Sequence, residues 1–335
     1  MNTPLTDRPR SLVIPVYRNE DNIPPLLAAL DDIAGRLPGD FEVVFVIDGS
    51  PDRSYERLWE ALPKMSFDSQ LIALSKNFGA FSAIRAGMEI AHGEHLAVLA
   101  ADLQEPPELL LDFMAILDRD EADVVFGQRE GRRDNILYAL LSNTYWAMFR
   151  KFVLPSVPKG GVDVFACNQA VCENVLRIRE PNSSLIAQLF WVGFRRRFVP
   201  YERRKREIGR SAWHFGKRFR YMLDSVFSFT DLPIVALLWV GGIGMTLSIV
   251  VSMLVLAAWI GGAITVPGYT PQMLAILFFG SLLLLTQGIL GSYLWRAFEN
   301  TKRRPLTIIQ HHHVFSVEQR EASENAADMG LQHER

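Results

Sequence analysis

The run Phe41-Glu42-Val43-Val44-Phe45-Val46-Ile47, followed at once by Asp48-Gly49-Ser50, decides the fold class. Its apolar residues are nearly continuous, which is typical of a strand covered on both faces. The three residues that follow are typical of a turn. A strand of this kind predicts an α/β domain with a mostly parallel sheet and helices on both faces.

Similar apolar runs recur along the first 130 residues and alternate with helical patterns. Strands are predicted at 11–16, 41–47, 71–74, 96–100 and 124–126, and helices beginning near Asn22, Ser54, Ala80 and Pro106. This alternation predicts a parallel sheet whose connections are helical. We place this domain at 11–210, after a short lead-in at 1–10.

Polar residues follow four of the predicted strands, at the point where each strand ends. They occupy positions 15–20, 48–52, 75–79 and 101–107. Because the carboxyl ends of parallel strands meet at one edge of a sheet, we expect these loops to form one binding site. One Asp-Gly-Ser turn alone would be ordinary turn chemistry.

The segment from Leu232 to Trp295 contains no Asp, Glu, Lys, Arg or His. A bilayer core takes roughly 20 apolar residues per helix, so this segment has room for two transmembrane helices. We predict them within 231–298, at Leu232–Ile260 and 273–295, separated by a turn rich in Gly and Pro. The alternative is a buried hairpin of a soluble protein, which would need a large partner surface.

Basic residues flank the predicted hairpin, whereas its turn carries no charge. They are Lys217, Arg218 and Arg220 before it, and Arg296, Lys302, Arg303 and Arg304 after it. The positive-inside rule therefore predicts that the sheet domain and both termini are cytoplasmic. The charged N-terminus predicts no signal peptide. The bacterial inner membrane is the expected location.

Three further features surround the hairpin. Residues 211–230 predict an amphipathic juxtamembrane helix that lies on the membrane surface. The tail over 299–335 is expected to be cytoplasmic and, after Gln310, largely disordered. Gly241, Gly242 and Gly244 are typical of close helix packing, through which the chain would form a homo-oligomer.

The four loops and the hairpin resemble the family 2 glycosyltransferases with a GT-A fold. Among these the chain is similar to the polyprenyl-phosphate glycosyltransferases, such as dolichyl-phosphate mannose synthase, bactoprenol glucosyltransferase and undecaprenyl-phosphate formamidoarabinose transferase. The most specific match is Asp102-Leu103-Gln104-Glu105-Pro106-Pro107-Glu108. Further matches are Pro15-Val16-Tyr17 with Asn19-Glu20, Asp48-Gly49-Ser50, Asn77-x-Gly79, Gly209-x-Ser211-x-Trp213 and the exit from the second span at Gly291-Ser292-Tyr293-Leu294-Trp295-Arg296.

The resemblance implies an inverting enzyme of cell-envelope polysaccharide synthesis or lipopolysaccharide modification. It would move one sugar from a nucleotide-sugar, UDP-linked rather than GDP-linked, to a polyprenyl phosphate at the cytoplasmic membrane face. The implied donor-binding residues are Pro15, Tyr17, Asn19, Glu20, Asp48, Gly49, Ser50, Asn77 and Gly79. The implied catalytic residues are Asp102, Arg129 and Arg132, and the implied acceptor-phosphate ligands are Arg203, Arg206 and Ser211.

A divalent cation is also implied. Asp102 and Gln104 offer oxygen ligands of the kind that Mg²⁺ or Mn²⁺ prefers together with phosphate oxygens. The cation would neutralise the departing diphosphate.

The chain departs from the family at three positions near the donor. Ile47, Ala100 and Ala212 stand where the family usually has Asp, Asp and Lys. The lost carboxylate at Ala100 predicts a weakened metal site, for which Lys76, Lys159 or Arg210 would supply replacement charge. The alternative is a catalytically impaired relative that serves as a membrane-bound binding or scaffold partner.

Other classes of protein are disfavoured. The formal net charge of -2 gives no basic excess of the kind that nucleic-acid binding requires. A nicotinamide-dinucleotide site is disfavoured because no Gly-x-Gly-x-x-Gly follows the first predicted strand. A hairpin without an intramembrane charge offers no path for an ion or a sugar, which disfavours a transporter.

Overall fold

The computed structural model describes residues 10–37, 41–130, 162–180, 183–204, 232–261 and 268–317. The predicted juxtamembrane helix at 211–230 lies outside these ranges. So do Arg132, Lys159, Arg206, Arg210 and Ser211.

The described strands form one eight-stranded sheet in the order β7-β5-β6-β4-β1-β2-β3-β8. They are β1 Arg10–Val16, β2 Phe41–Ile47, β3 Asp68–Leu74, β4 His95–Val98, β5 Val124–Glu130, β6 Val162–Asn168, β7 Arg196–Glu202 and β8 Ile309–Phe315. The pairs β1–β2, β1–β4, β2–β3 and β5–β7 are parallel. The pairs β4–β6, β5–β6 and β3–β8 are antiparallel. The predicted α/β class with a mostly parallel sheet is confirmed.

Eight α-helices lie within the described residues, and the first four begin within three residues of the predicted starts. They are α1 Ile23–Arg36, α2 Ser54–Ala61, α3 Ala80–Ile90, α4 Leu109–Asp118, α5 Gln169–Arg177, α6 Leu185–Trp191, α7 Leu232–Ile260 and α8 Tyr269–Thr301. Two short helices start at capping side chains, since Asn168 accepts from the N–H of Val171 and Ser184 accepts from the N–H of Ala187. Such caps satisfy N–H groups that the helix itself leaves without partners.

Helices cover both faces of the sheet, which explains the continuous apolar runs. Along β1 the side chains alternate between two cores. Leu12 and Ile14 belong to a core shared with α1 and α4, while Val13 belongs to a core shared with α3. Each of these side chains is fully buried, and burial of this kind contributes roughly 1.5–3 kcal/mol per side chain.

The prediction of a largely disordered tail is wrong for residues 309–315. These residues form β8, which runs antiparallel to β3 with His312 opposite Ile72. The Nε2 atom of His312 lies 2.8 Å from Oε1 of Gln70, and the ring of His313 packs edge-on against Trp59 at 4.5 Å. An open edge of β3 would leave backbone N–H and C=O groups without partners, which this polar segment supplies. The sheet domain therefore extends beyond 11–210.

The long helices α7 and α8 lie where the two spans were predicted. The first has the predicted bounds, and the second extends past both of its predicted ends. Over the residues that the structure describes, none of the helices combines the length and the apolar character that crossing a membrane requires. Large apolar side chains are nevertheless exposed on both helices, including Trp239, Leu247, Leu283 and Leu294.

A buried carboxylate organises the amino-terminal edge of the sheet. Glu42, which is 1% exposed, accepts hydrogen bonds from Ser11 Oγ at 2.6 Å and Gln70 Nε2 at 3.0 Å. The backbone N–H of His92 donates to the same carboxylate at 2.5 Å. Burial, the largest single influence, acts to raise the pKa of Glu42, but these hydrogen bonds together outweigh it and lower the pKa below its usual value.

Replacing Glu42 with Gln should therefore destabilise the sheet domain. The change removes a charged acceptor from buried donors, which costs about 1–3 kcal/mol of unfolding free energy. Because folding lowers the pKa of Glu42, its contribution is fully present above the unfolded-state pKa of about 4.3 and is lost as the pH falls through the lower folded-state pKa. The thermal unfolding midpoint should fall at pH 7, and the deficit should shrink only as the pH falls below about 4. Glu60→Gln, at an exposed position of α2, is the control. Equal midpoints for the two variants at pH 7 would contradict this role of Glu42.

Candidate active site

The loops that follow β1, β2, β3 and β4 lie at one edge of the sheet. These strands are adjacent and parallel in the order β4-β1-β2-β3, so their carboxyl ends point the same way. Strands β5 and β7 also end at this edge, because both run antiparallel to β6, which itself runs antiparallel to β4. All the predicted site residues within the described ranges lie on these strands or on the loops that follow them.

Asp48 ties the loop after β2 to the loop after β3. It is 2% exposed, and its carboxylate oxygens accept from the N–H groups of Phe78 at 2.7 Å and Gly79 at 2.9 Å. The side chain of Asn77 donates to the backbone oxygen of Asp48 at 3.1 Å. These contacts favour a supporting role for Asp48 and Asn77 over the predicted direct contact with a base or ribose.

Gly49 is required by both the conformation and the packing of this junction. Its φ angle is +57°, in the left-handed region that side chains other than Gly rarely adopt. A Cβ at this position would lie 2.3 Å from the carbonyl carbon of Lys76 and 2.4 Å from the backbone nitrogen of Asn77. Because both of these are backbone atoms, a side chain here would push the two loops apart.

Asp52 joins the loop after β1 to the loop after β2. Its Oδ1 accepts from Ser50 Oγ at 2.5 Å, and its Oδ2 accepts from the N–H of Glu20 at 3.1 Å. Partial burial acts most strongly on the pKa of Asp52 and raises it, but hydrogen bonds from Ser50, Ser54 and Glu20 reverse the effect and lower the pKa. The carboxylate is therefore held in its charged form.

A cavity of about 270 Å³ lies between these two loops. Its lining consists of Arg18, Asn19, Glu20, Asp21, Asn22, Pro51 and Asp52. Small-molecule sites usually occupy about 300–1,000 Å³, so this cavity is large enough for one part of a nucleotide-sugar. The predicted residues Asn19 and Glu20 line it, while Pro15 and Tyr17 lie on the strand and turn that lead to it.

Sequence reasoning missed Asp52 and Arg18 as site residues. Both lie within the polar loops that follow β1 and β2. The available signal for Asp52 was its position two residues before Ser54, where α2 begins, since an Asp at such a place commonly bonds nearby backbone N–H groups. Its Oδ1 does lie 3.3 Å from the N–H of Ser54.

Of the two predicted metal ligands, Asp102 and Gln104, the second is hydrogen-bonded to Arg203. After β4, Asp102 Oδ1 accepts from the N–H of Gln104 at 3.3 Å, and Leu103 between them has a positive φ of 53°. The side-chain oxygen of Gln104 accepts from Nη2 of Arg203 at 2.6 Å. Nε of Arg203 lies 3.4 Å from Oε1 of Glu105, which is 3% exposed.

This arrangement does not fit a divalent cation on Asp102 and Gln104. A cation that shared the Gln104 oxygen would lie within about 5 Å of the Arg203 guanidinium, where the repulsion is about 7 kcal/mol at an effective dielectric constant of 20. The described residues contain no cluster of three or more His, Cys, Asp or Glu that would hold a metal ion. The contacts of Arg203 with Gln104 and Glu105 therefore argue against the predicted Mg²⁺ or Mn²⁺ site.

Arg129 lies near the end of β5, opposite Tyr201 of β7. Its Nε atom is buried and has no hydrogen-bond partner among the described residues. A buried guanidinium N–H of this kind is costly unless a ligand satisfies it. Arg132, its predicted partner, lies outside the described ranges.

The comparisons identify the family. Residues 11–177 match glycosyl transferase family 2. An uncharacterized glycosyltransferase of Synechocystis is 30% identical over 300 residues, which are 89% of this chain and 94% of the relative. The putative glycosyltransferase CsbB of Bacillus subtilis is 31% identical over 304 residues, 91% of this chain and 92% of the relative. The bactoprenol glucosyl transferase of Shigella phage SfII is 27% identical over 304 residues, 90% of this chain and 98% of the relative.

The protein is a glycosyltransferase enzyme. It belongs to glycosyl transferase family 2, as the resemblance of its loops predicted.

Replacing Gly49 with Ala should disrupt the junction of the two loops. The added methyl group would meet backbone atoms of the loop after β3, so the thermal unfolding midpoint should fall and UDP affinity, measured by calorimetry, should fall at least tenfold. Gly35→Ala in α1 is the matched control, because a Cβ there meets nothing within 4 Å and Ala favours a helix by about 1 kcal/mol. Unchanged UDP affinity in Gly49→Ala would contradict the expectation that a nucleotide-sugar binds at these loops.

Proposed function

We propose that this enzyme transfers one sugar from a nucleotide-sugar to a polyprenyl phosphate, with inversion at the anomeric carbon. The proposal rests on one observation. The polar cavity after β1 and β2, the Asp102–Glu108 loop and Arg129 all lie at the same edge of the sheet. A UDP-sugar is the expected donor. The bactoprenol glucosyl transferases to which the chain is similar support a lipid acceptor of the undecaprenyl or dolichyl phosphate type.

The acceptor determines which residues the reaction needs. A lipid phosphate is already an anion at neutral pH, so its oxygen can attack the anomeric carbon without a strong general base. The protein must then align the two substrates and stabilise charge on the leaving diphosphate. Arg129 suits the acceptor phosphate, because a guanidinium binds phosphate oxygens in pairs. We include Arg132, Arg206 and Ser211 in this role on the resemblance alone.

The donor lies at the loops after β1 and β2 in this proposal. Glu20 and Asp52 line the cavity there and would accept hydrogen bonds from the ribose or base. Arg18 lines the same cavity and stacks on the ring of Tyr17 at 5.4 Å. Asp48, Gly49 and Asn77 would act indirectly by fixing the shape of the neighbouring loop.

We further propose that α7 and α8 anchor the enzyme in a membrane, with the sheet domain and both termini on the cytoplasmic side. Two observations support this: the full sequence from Leu232 to Trp295 carries no charge, and Leu247 and Leu283 are more than 60% exposed. The chain enters the hairpin after β7 and leaves it before β8. Because β7 ends and β8 begins at the carboxyl edge of the sheet, the chain leaves and re-enters the sheet on the side of the candidate site.

A membrane-fraction assay tests the transfer. Radiolabelled UDP- and GDP-sugars are offered with undecaprenyl phosphate, and label in the organic phase is counted. We expect lipid label with one donor and a loss of at least 100-fold in Arg129→Ala, because the acceptor phosphate loses its buried partner. Arg119→Ala is the control, since Arg119 lies on the surface, where its side chain pairs with the exposed Glu121.

The opposite result is also informative. If the folded protein labels no lipid with any donor but still binds UDP or GDP, the transfer proposal fails. The better account is then a non-catalytic, membrane-bound binding or scaffold partner. Ile47, Ala100 and Ala212, which replace polar residues of the family, are consistent with that role.

The anchor has a separate test. Membranes that contain the full chain are washed with alkaline carbonate, and the chain is expected to stay in the pellet. The double variant Leu247→Lys and Leu283→Lys should be released, because a charge inside a bilayer costs about 2.5–3.5 kcal/mol per residue. Release of the unaltered chain would contradict the anchor.

A further inference from the structure

We propose that Arg203, rather than a divalent cation, neutralises the diphosphate that leaves the donor sugar. The inference rests on the proposed transfer reaction and assigns Arg203 to the donor, whereas the resemblance placed it with the acceptor. It follows from the contacts that replace the expected metal site.

The first argument is that Arg203 holds the oxygen that a cation would need. Its Nη2 donates to Oε1 of Gln104 at 2.6 Å. Gln104 is two residues from Asp102, and Ala100 supplies no second carboxylate. One carboxylate and an amide oxygen already bonded to a guanidinium make a poor site for a divalent cation.

The second argument is that Arg203 is held firmly at this place. Its Nε lies 3.4 Å from Oε1 of Glu105, whose side chain is 2% exposed. The next residue, Arg204, donates its backbone N–H to the oxygen of Gln104 at 2.8 Å. Because β7 ends at Glu202, Arg203 extends directly from the sheet and loses little freedom when it binds a ligand.

The third argument is access. The Arg203 side chain keeps 27% of its surface exposed, and it stands at the carboxyl edge, where the loop after β4 lies beside the loop after β1. A guanidinium has five N–H donors in one plane, a geometry that matches phosphate oxygens. A diphosphate that approaches Gln104 would therefore meet this group first.

The chemistry balances without a cation or a general base. An oxygen of the lipid phosphate forms a bond to the anomeric carbon while the bond from that carbon to the donor's β-phosphate oxygen breaks. The electron pair of the broken bond passes to the departing diphosphate, which gains one negative charge. Hydrogen bonds from Arg203 stabilise that charge, and no proton is transferred.

Other cations are less suited to this role. Lys76 lies over the ring of Phe78 at 5.0 Å, on the loop after β3. Arg18 lines the cavity between the first two loops, where the base or ribose is proposed to bind. Arg203, by contrast, contacts the side chains of both Gln104 and Glu105 in the Asp102–Glu108 loop.

Calorimetry on the full-length protein in detergent tests the proposal, with UDP and GDP titrated in EDTA and again in Mn²⁺. We expect the unaltered protein to bind one nucleotide with an affinity that changes less than twofold between the two conditions. Arg203→Ala should weaken that binding at least tenfold in EDTA and slow lipid labelling about 100- to 1,000-fold. Arg203→Lys, which keeps the charge but not the planar fork, should fall between the two.

Arg204→Ala is the matched control, because Arg204 is adjacent, equally charged and paired at its side chain with the exposed Glu108 at 3.3 Å. It should bind the nucleotide as the unaltered protein does. Thermal unfolding establishes that each variant is folded, and the EDTA comparison on the unaltered protein does not depend on any variant.

Two results would overturn the inference. One is nucleotide binding and transfer by the unaltered protein that EDTA abolishes and Mn²⁺ restores. The other is nucleotide binding that Arg203→Ala leaves unchanged. Failure of the transfer proposal looks different, since nucleotide binding would then still depend on Arg203 while no donor labelled the lipid.

Discussion

The parallel alignment of β4, β1, β2 and β3 is the constraint on which the rest of the molecule depends. It brings four loops from distant parts of the sequence to one edge, and that edge carries the cavity and the Asp102–Glu108 loop. Polar side chains then fix the loops against one another. Asp48 holds the loop after β3, and Asp52 holds the loop after β1. Each of these carboxylates accepts hydrogen bonds from a neighbouring loop, so the loops are tied to one another at this edge.

The parts of the fold that could be predicted are those that local sequence controls. Phe41–Ile47 is apolar along its length because both of its faces are buried, and Ser54 and Ala80 mark helix starts that tertiary packing did not shift. The family could be predicted as well, because the Asp102–Glu108 motif is specific and contiguous.

The remaining features depend on residues far apart in the chain. β8 is polar and rich in His, and only the open edge of β3 makes it a strand. Arg203 meets Gln104 across nearly one hundred intervening positions, and no periodicity or spacing reports such a contact. Asp48 could be predicted to lie at the end of β2, but its carboxylate turns to the N–H groups of Phe78 and Gly79 in the loop after β3, a contact that local sequence does not report.

The position of β8 has a consequence for how the chain folds. Of the eight described strands, β8 is the last in the sequence and follows α7 and α8, so the ribosome makes it after the other seven. Until residues 309–315 emerge, β3 is an exposed edge strand, and such edges readily pair with other chains. The segment that contains α7 and α8 is thus inserted between two strands of the sheet rather than appended after the last of the described strands. The nascent domain can close its sheet only when both long helices have been synthesised, which delays its final long-range pairing.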